Sequence, residues 1–530
     1  MDTTQHPIAF DAMPTLAHIP SYFAGRSPDR AAIRFGGGAL SWDELDRRSS
    51  QVAYALRSAG VEKNDHIAFL GKGSADFFAL MFGAAKAGAI LTPIQWRLAV
   101  PEVAAILNDA APRLLFVDTA HMDALSSLGE AMRDRGVIII GNAPDNFESF
   151  DEWLQPHAAE WADRPSEKDV ALQLYTSGTT GVAKGVMLTH ANLLSGRREG
   201  SAAQMDWNTW LPEDVNLVAL PVGHIGGIGW AIVGFVNGVT TVVHSEFDPG
   251  AVLEAIHSEG VSKLFVVPTA LQFMLMHPRA REIDTSGLRY ILYGAAPIAL
   301  DLLREATRVF GCGFCQQYGA TETTGTIVYL PPEDHDPEGS TRMRSAGKPM
   351  PGVELRIVSP DGSVLDAGET GEVETRSVAN MKGYWKRDED TRATVDEDGW
   401  LRTGDAGYLD LDGYLFIQDR IKDMICSGAE NVYPAEVESA LFGHPAVQEV
   451  AVFGVPDEKW GEAVKAAVVL VPGSEPDEAA IMAHARARIA SFKVPKSIDF
   501  ISEMPKGPSG KILRRSLREP YWSGRDRKVN

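Results

Sequence analysis

Apolar runs alternate with helix-length segments along the chain from about Asp65. HIAFLG at 66–71 precedes SADFFALMFGAAKAG, and AILTPI follows at 89–94. Similar apolar runs return in NLVALP, VTTVV, KLFVVP and YILYG, each separated from the next by a segment long enough for a helix. Strands that alternate with helices are typical of βαβ units around largely parallel sheets. The pattern therefore predicts an α/β fold with a large N-terminal domain of βαβ-rich sheets.

Short strands punctuated by glycine and proline replace this alternation after about Glu333. The segment AGKPMPGVELRIVSPDGSVLDAGETGEVETR, at 346–376, indicates a β subdomain. DLDGYLFIQDR, at 410–420, ends that region with a DG turn between two apolar runs.

A compact α/β pattern closes the chain. It predicts a helix at AEVESALFG, strands at VQEVAVFGV and AVKAAVVLV, a helix through EAAIMAHARARIA and a short strand at IDFIS. This stretch is long enough to fold alone. We therefore predict an N-terminal domain over 1–420 and a small, mobile C-terminal α/β lid domain over 421–530, with the boundary at Arg420 to Asp423.

The run from Ile225 to Val243 is free of charge and about as long as a bilayer span. It contains several glycines, an Asn237-Gly238 pair and a β-branched VTTVV. These features predict a buried helix, a turn and a strand instead of a transmembrane segment.

Composition places the chain among globular proteins of more than one domain. It has 530 residues, of which 45% are hydrophobic and 23% are charged, and its formal net charge is -21. A charge of this sign disfavours broad attraction to nucleic acid or to anionic lipid, although local basic patches remain compatible with it.

The three cysteines, Cys312, Cys315 and Cys426, are too few for a disulfide scaffold in a chain of this size. Cys312 and Cys315 have the CxxC spacing of a redox or zinc half-site, but no second pair accompanies them, so we expect a structural role. The first twenty residues show neither a basic n-region nor an apolar h-region. We expect a cytoplasmic protein.

The strongest chemical signal is YTSGTTGVAKGVMLTH at 175–190, between a strand-like VALQL and a helix-like ANLLSGRR. Small hydroxylated residues and glycines between a strand and a helix can offer backbone N–H and hydroxyl donors to a polyphosphate. Lys184 adds a positive charge. The Walker A pattern is absent, because Gly185 follows this lysine.

With this loop, five further motifs appear in order: YGATE at 318–322, GYW at 383–385, DGWLRTGD at 398–405, DRIKD at 419–423 and PSGKILR at 508–514. Together they resemble the adenylate-forming superfamily, which includes acyl-CoA synthetases, adenylation domains of peptide synthetases and luciferases. The resemblance extends from about Tyr22 to Leu517. Ala183 is a departure, since the family often has proline before the lysine.

The resemblance implies a reaction in two steps. A carboxylate attacks the α-phosphate of ATP to form an acyl-adenylate and pyrophosphate, and a thiol then displaces AMP. Adenylation supplies the leaving group that a carboxylate lacks. Negative charge accumulates at the α-phosphate, so cations are expected to converge there.

The resemblance also implies the phosphate and metal site. Glu322 matches the glutamate associated with Mg²⁺, Thr176 lies where the loop helps to order that ion, and Thr321 is the expected phosphate contact. The implied nucleotide-binding residues of this part are Thr176, Ser177, Gly178, Thr179, Thr180, Gly181, Lys184, Gly319 and Ala320.

Adenosine is expected to lie between two further segments. Asp405 resembles the carboxylate that accepts both ribose hydroxyls, and Arg420 resembles its partner at ribose or phosphate. The stretch Gly294, Ala295, Ala296, together with Gln317 and Tyr318, matches the lining of the adenine pocket, although ordinary loop packing explains the alanines equally well.

Two catalytic assignments follow from the same resemblance. Lys511 matches the lysine that contacts the substrate carboxylate and phosphate during adenylation. His224 opens GHIGGIGW and matches a residue near the carboxylate of the acid. Lys422 matches the hinge about which the C-terminal domain turns between the two steps.

The acceptor thiol is indicated by MICSGAENVYPAEVE at 424–438, which looks like the SGGENxYPxEVE of acyl-CoA synthetases. Coenzyme A is therefore favoured, with Ser427, Gly428, Ala429 and Glu430 near its path. Ala429 replaces a family glycine and can narrow the pantetheine tunnel. Three arginines of the tail can bind CoA phosphates or simply form a solvated helix end: Arg514, Arg515 and Arg518.

The acid itself stays open between aliphatic, aromatic and polycyclic classes. No aspartate follows His224 to bind an amino group, which disfavours amino acids. Gly226, Gly227 and Gly229 either leave room for a wide acyl group or permit tight helix packing.

We therefore predict an ATP-dependent acid–CoA ligase that uses Mg²⁺ and CoA. The main alternative is a free-standing enzyme that loads a carrier protein, and a second is a nucleotide or acyl-CoA binding protein without turnover. Related enzymes suggest a homodimer.

Overall fold

The computed structural model describes residues 9–128, 135–155, 165–176, 183–296, 298–421, 423–427, 430–507 and 512–523. Everything stated below about the structure refers to these residues.

The strands follow the apolar runs of the sequence. In chain order they are β1 (Ala31–Phe35), β2 (Gly38–Ser41), β3 (His66–Leu70), β4 (Ile90–Ile94), β5 (Leu114–Asp118), β6 (Gly136–Ile140), β7 (Glu148–Ser149), β8 (Val170–Thr176), β9 (Lys184–Thr189), β10 (Val215–Val218), β11 (Thr240–Val243), β12 (Lys263–Val266), β13 (Tyr290–Gly294), β14 (Gly313–Ala320), β15 (Gly325–Leu330), β16 (Lys348–Pro349), β17 (Glu354–Val358), β18 (Gly371–Arg376), β19 (Gly383–Tyr384), β20 (Leu401–Leu409), β21 (Leu415–Arg420), β22 (Ile425–Ser427), β23 (Glu430–Val432), β24 (Val447–Asp457), β25 (Gly461–Leu470) and β26 (Ser497–Phe500).

The α-helices occupy the intervening segments. They are α1 (His18–Ala24), α2 (Trp42–Ser58), α3 (Ala75–Ala87), α4 (Val100–Ala110), α5 (Asp123–Leu128), α6 (Phe150–Leu154), α7 (His190–Ala202), α8 (Ile225–Val236), α9 (Pro249–Ser258), α10 (Pro268–Met276), α11 (Leu300–Phe310), α12 (Asp388–Thr394), α13 (Pro434–Phe442), α14 (Glu478–Arg486) and α15 (Arg514–Trp522).

Local signals explain where several helices begin and end. The Ser41 hydroxyl accepts from the Glu44 backbone and Glu44 reaches back to the Ser41 backbone, which forms a capping box on α2. The Ser74 hydroxyl accepts from the Phe77 backbone at the start of α3, and Gly88 ends this helix at a φ of 72°. Helix α14 ends at Arg486, earlier than the apolar pattern through 490 predicts.

Two large sheets form the N-terminal part, as the alternating pattern predicts. One has eight strands in the order β19-β9-β8-β4-β3-β5-β6-β7, and the other has nine in the order β16-β15-β14-β13-β12-β10-β11-β1-β2. Their central pairs, such as β3 with β4 and β12 with β13, are parallel. The main core contains the nearly solvent-free Trp42, Phe78 and Phe235. The α/β fold class is confirmed.

The segment from Ile225 to Val243 is a buried helix, a turn and a strand, as predicted. Helix α8 ends at Asn237, Gly238 has a φ of 67°, and β11 follows. None of the described helices has the length and apolarity that crossing a bilayer requires.

The predicted β subdomain is a four-stranded antiparallel sheet in the order β17-β18-β20-β21. Its last hairpin turns at Asp412-Gly413, where Gly413 has a φ of 79° and Leu409 pairs with Leu415. This hairpin carries Asp405 and Arg420 into the site described below.

The C-terminal unit has a core of its own. Strands β24 and β25 form a long antiparallel pair, β26 joins β25 in parallel, and β22 with β23 extends the sheet. Val437 of α13 and Ile481 of α14 lie fully buried against it. The elements agree with the sequence pattern, while the domain boundary at 420 stays a prediction.

Candidate active site

The predicted site residues meet where three sheets come together. Thr176 ends β8 in the eight-stranded sheet, whereas Gly294 and Ala320 end β13 and β14 in the nine-stranded sheet. The hairpin of β20 and β21 contributes Asp405 and Arg420. Ligand sites in α/β proteins lie at the carboxyl ends of strands, so this convergence is of the expected kind.

Glu322 forms the first cluster. Its Oε1 accepts a hydrogen bond from Thr176 Oγ1 at 3.4 Å and from the Tyr384 hydroxyl at 3.0 Å. Burial and the nearby Glu322 charge raise the pKa of Tyr384, so its hydroxyl stays protonated and donates. Both of these hydrogen bonds go to Oε1.

Lys184 lies beside this cluster. Its Nζ is 2.8 Å from Asp390 Oδ1 and 5.1 Å from the centroid of the Tyr384 ring. Strand β9 begins at Lys184, and β19 places Tyr384 next to it by pairing with Val186. The lysine thus brings a positive charge to the edge of the Glu322 cluster.

Asp405 forms the second cluster. Its Oδ2 accepts from the Tyr318 hydroxyl at 2.6 Å, and its Oδ1 lies 2.6 Å from Arg420 Nε. Asp405 pairs directly with Arg420 across the β20–β21 ladder, so the sheet register holds them together. Each carboxylate oxygen has two acceptor positions, and Asp405 therefore keeps capacity for further donors such as hydroxyls.

The charges of this cluster support one another. Burial alone would lower the pKa of Arg420, but Asp405 and Tyr318 more than offset it, so the pKa is raised. Burial, and then Asp405, raises the pKa of Tyr318. A neutral tyrosine and a charged arginine therefore flank one carboxylate.

Strand β14 links the two clusters, because Tyr318 and Glu322 are four residues apart. A Cβ at Gly319 would lie 1.8 Å from the Gly325 carbonyl oxygen, so this position needs glycine. Thr321 is buried directly before Glu322.

The predicted adenine segment lies at the end of β13. Gly294 pairs with Gln317 in parallel, and a Cβ on Gly294 would lie 2.0 Å from the Gln317 carbonyl oxygen. Ala295 has a φ of 66°, a left-handed conformation that costs about 1 kcal/mol for a residue with a Cβ. Ala296 is exposed. The Gln317 side chain accepts from Thr326 Oγ1 at 2.8 Å.

His224 precedes helix α8 as its N-cap, and its Nδ1 accepts from the Gly226 backbone at 3.3 Å. Ile225, the next residue, lies 3.8 Å from the Cβ position of Gly325. The start of α8 therefore lies against the loop that carries Glu322, and His224 belongs to the same region.

The glycines after His224 have different roles. A Cβ on Gly227 would lie 2.2 Å from the Pro221 carbonyl oxygen, so Gly227 permits tight backbone packing and leaves no room for substrate. Gly226 and Gly229 meet only side chains, at 3.2 Å for Phe265 and 3.3 Å for Ile225. Of the two alternatives that the sequence left open, the contact at Gly227 favours tight helix packing.

The tail arginines are engaged within the protein. Arg514 donates to both carboxylate oxygens of Glu438, at 3.1 and 2.7 Å. Arg518 lies 3.7 Å from Asp423, and Arg515 lies 3.9 Å from Glu519. Arg514 therefore serves the packing of α15, while a role for these arginines at CoA phosphates stays a prediction.

Only part of the predicted acceptor segment lies within the described residues. Ser427 ends β22 and pairs with Glu430 of β23. Its other members and several further predicted site residues lie outside the described residues: Ser177, Gly178, Thr179, Thr180, Gly181, Lys422, Gly428, Ala429 and Lys511.

Two residues of the site escaped the sequence assignment. Tyr384 contacts Glu322 and Asp390 pairs with Lys184, although 62 residues separate the first two. Tyr384 belongs to the GYW motif at 383–385, but the motif alone did not indicate that its hydroxyl contacts Glu322.

Cys312 and Cys315, which have the CxxC spacing, do not belong to a metal-binding cluster of the described residues. Cys315 is fully buried and burial raises the pKa of its thiol; burial also raises the pKa of Cys312 to about 12. No cluster of three or more His, Cys, Asp or Glu side chains suited to a metal occurs in the described part of the chain. A raised pKa keeps both thiols protonated at neutral pH, which is compatible with the expected structural role.

Comparison with known families decides the identity. The model of the AMP-binding enzyme family matches residues 21–385, and that of the AMP-binding enzyme C-terminal domain matches residues 436–511. The chain belongs to the AMP-binding enzyme family. It lies in the CoA-ligase branch of the adenylate-forming superfamily.

Relatives cover nearly the whole chain. The fatty acid–[acyl-carrier-protein] ligase ScoC of Streptomyces coeruleorubidus is 41% identical over 100% of both chains. A feruloyl-CoA synthase of an Amycolatopsis species is 39% identical over 96% of this chain and 99% of its own. ATP-bound MatB from Rhodopseudomonas palustris has a TM-score of 0.86 at 31% identity, covering 95% of this chain and 99% of its own.

These likenesses establish the class of reaction. The AMP-binding enzyme described here is an AMP-forming acid–thiol ligase. Its ATP dependence follows from the same family membership. The clusters around Glu322 and Asp405 lie within the matched region.

Proposed function

We propose that this enzyme joins a carboxylic acid to coenzyme A in two steps. The acid oxygen attacks the α-phosphate of ATP, pyrophosphate leaves, and an acyl-adenylate forms. The CoA thiol then attacks the acyl carbon, AMP leaves and a proton is released. The observation that supports this most directly is the convergence of the Glu322 cluster, at the ends of β8 and β14, with the Asp405 cluster in the β20–β21 hairpin.

The Asp405 cluster would bind the nucleoside. A carboxylate held by Tyr318 and Arg420 is preorganised to accept two ribose hydroxyls, because its donors already fix its orientation. Gly294 packs its backbone directly against the Gln317 carbonyl and so holds the ends of β13 and β14 together, where adenine would lie against the exposed side of this segment.

The Glu322 cluster would hold Mg²⁺. A glutamate oxygen and a threonine hydroxyl 3.4 Å apart are the hard oxygen donors that Mg²⁺ prefers, and few protein ligands are needed when phosphates and water complete the shell. Bound Mg²⁺ would neutralise charge on the phosphates. Tyr384 orients the Glu322 carboxylate for this contact.

Movement of the C-terminal domain belongs to the same proposal. Lys511 would serve adenylation and the segment from Ser427 to Glu430 would serve thioester formation. Both lie in one small domain, so a single arrangement is poorly suited to both steps. A turn about Lys422 would exchange them.

CoA is the preferred acceptor, and a carrier protein is the second candidate. The SGAENVYP segment and the feruloyl-CoA synthase relative favour CoA. The 41% identity with a ligase named for an acyl carrier protein favours the carrier. Both acceptors present a phosphopantetheine thiol, so the first step would be common to them.

Two assays test this proposal. Acid-dependent exchange of labelled pyrophosphate into ATP reports adenylation, and release of AMP with CoA or with a phosphopantetheinylated carrier reports the second step. We expect exchange with at least one acid of a panel, followed by faster turnover with CoA. Exchange with none of the acids would contradict the enzyme assignment, and turnover with the carrier alone would replace CoA by the carrier.

A further inference from the structure

Arg197 is a largely enclosed cation to which the described residues supply no anionic partner. It lies on α7, and its Nη2 donates to the Gly229 carbonyl oxygen at 2.7 Å. Nη1 donates to the Leu193 carbonyl oxygen, and Nε has no hydrogen-bond partner in the described residues. Burial lowers the pKa of Arg197 to about 10, and no carboxylate of the described residues counteracts this. A guanidinium carries five N–H donors, and only two hydrogen bonds from Arg197 are formed within the described residues.

Other enclosed cations of the described chain are compensated. Lys86 Nζ lies 2.6 Å from Asp46, Lys465 lies 2.7 Å from Asp499, and Arg514 lies 2.7 Å from Glu438. Lys263 donates to two carbonyl oxygens and faces the Trp210 ring at 4.4 Å. An enclosed charge without a counter-charge is costly, so Arg197 is the position where an anion would stabilise the protein.

Arg197 and His224 lie along one face of α8. The His224 Nδ1 is 3.6 Å from the Cβ position of Gly226, and Arg197 Nη2 is 3.6 Å from the Cβ position of Gly229. Gly226 and Gly229 are three residues apart, so these two positions are neighbours, roughly 5–6 Å from each other. The imidazole and the guanidinium therefore lie along the same glycine-bearing face of α8, against which Phe265 and Ile225 also pack.

Arg197 keeps part of its surface exposed although protein surrounds it. Since the family resemblance implies that the carboxylate of the acid lies near His224, the remainder of the acid would extend from His224 towards Arg197.

We propose that Arg197 forms a subsite for a second anionic group of the acid, so that the preferred substrates are dicarboxylic acids. The reacting carboxylate would lie near His224, and the distal carboxylate would take the unused N–H donors of Arg197 about one helical turn away. This inference rests on the ligase function proposed above and adds the class of acid.

Matched pairs of acids test the subsite. Hexanoic and hexanedioic acid, octanoic and octanedioic acid, and 3-phenylpropanoic acid with its 4-carboxy derivative differ only at the distal end. Acid-dependent pyrophosphate exchange is measured for the wild type, Arg197→Met and Arg197→Lys at neutral pH. Arg198→Met is the matched control, because Arg198 is the next residue of α7 and pairs with Glu167 at 3.5 Å.

We expect the wild type to prefer the diacid of at least one pair by tenfold or more in kcat/KM. Arg197→Met should lower kcat/KM for that diacid about 30- to 100-fold, mainly through KM, and leave the monoacid within threefold. Arg197→Lys should restore part of the preference, and Arg198→Met should retain it. A diacid should also raise the Tm of the wild type and not that of Arg197→Met.

The outcomes separate this inference from the function on which it rests. Exchange with monoacids but without preference for any diacid in the wild type overturns the subsite and leaves the ligase intact. Equal loss for both members of a pair in folded Arg197→Met also overturns it. If Arg197→Met does not fold, the diacid preference of the wild type and its reduction in Arg197→Lys decide whether the subsite exists. Exchange with neither class overturns both proposals.

Discussion

The Asp419 carboxylate accepts a hydrogen bond from the Ala435 backbone N–H at 2.7 Å. Asp419 lies near the end of β21, just before the predicted domain boundary, whereas Ala435 lies in the first turn of α13 beyond it. An anion at a helix N-terminus satisfies an otherwise unpaired donor and interacts favourably with the helix dipole. Arg514 lies 4.0 Å from the same carboxylate and ties it to Glu438. The pair therefore joins the two parts of the chain across position 422.

Replacing Asp419 with alanine should loosen this connection. The Ala435 amide would lose its acceptor, and we expect its hydrogen exchange to become about 5- to 30-fold faster, as for the loss of a cap worth 1–2 kcal/mol. Exchange mass spectrometry over α13 measures this. Asp412→Ala is the control, because Asp412 is exposed in the β20–β21 turn. Unchanged protection in Asp419→Ala would show that the bond does not hold the helix.

The same carboxylate predicts a pH dependence of stability. Burial raises the pKa of Asp419 to about 6; Arg514 opposes this shift, and Glu438 adds to it. The folded protein then binds the proton more tightly than the unfolded chain, so the stabilisation is full below about pH 4 and is lost as the pH rises through about 6.

Asp419→Asn should remove the part of the pH dependence of the unfolding free energy that comes from this carboxylate. Relative to the variant, the wild type should lose about 1–3 kcal/mol of unfolding free energy between pH 4 and pH 7. Urea unfolding at several pH values measures the difference. Parallel profiles for the two proteins would contradict a raised pKa.

Asp405 should control nucleotide binding. Asp405→Asn leaves Arg420 without its counter-charge and weakens the acceptor for ribose, so we expect ATP affinity to fall about 10- to 100-fold. Tyr318→Phe removes one donor to Asp405 and should cost less, about tenfold. Calorimetric titration with ATP measures both, and Asp412→Asn should bind normally. Normal ATP binding by Asp405→Asn would remove this residue from the site.

Glu322 should set the magnesium requirement. Glu322→Gln keeps the size of the side chain but removes its charge, and we expect the Mg²⁺ concentration for half-maximal pyrophosphate exchange to rise at least tenfold. Tyr384→Phe should have a smaller effect in the same direction, since it removes one orienting bond. Glu333→Gln, at an exposed position, is the control. An unchanged magnesium curve for Glu322→Gln would exclude the metal role.

Lys511 should act in the first step alone. Lys511→Ala is expected to lower adenylate formation by a hundredfold or more, because a cation that meets the developing phosphate charge is lost. The reaction of preformed acyl-adenylate with CoA should largely remain. Lys459→Ala is a control at an exposed position of the same domain. Equal loss in both steps would contradict the assignment.

The elements of the fold were readable from the chain because their signals are local. The run from 225 to 243 contains its own helix pattern, its Asn237-Gly238 turn and its β-branched strand, and all three occur as predicted. The hydrophobic period and the turn residues act between near neighbours in the chain. They therefore indicate a helix, turn or strand without knowledge of the tertiary contacts. The ordered motifs likewise singled out Glu322 and Asp405, whose roles at Mg²⁺ and at ribose stay predictions.

The partners of these residues were decided only by the tertiary structure. Tyr384 reaches Glu322, Tyr318 reaches Asp405 across 87 residues, and Arg197 meets the Gly229 carbonyl on another helix. Such contacts depend on strand register and on helix packing, which combine distant parts of the chain and leave no periodic trace in sequence. Gly227 shows this limit of sequence-based prediction most clearly. The sequence allows either tight packing or room for substrate at this glycine, and only the position of the Pro221 carbonyl favours packing.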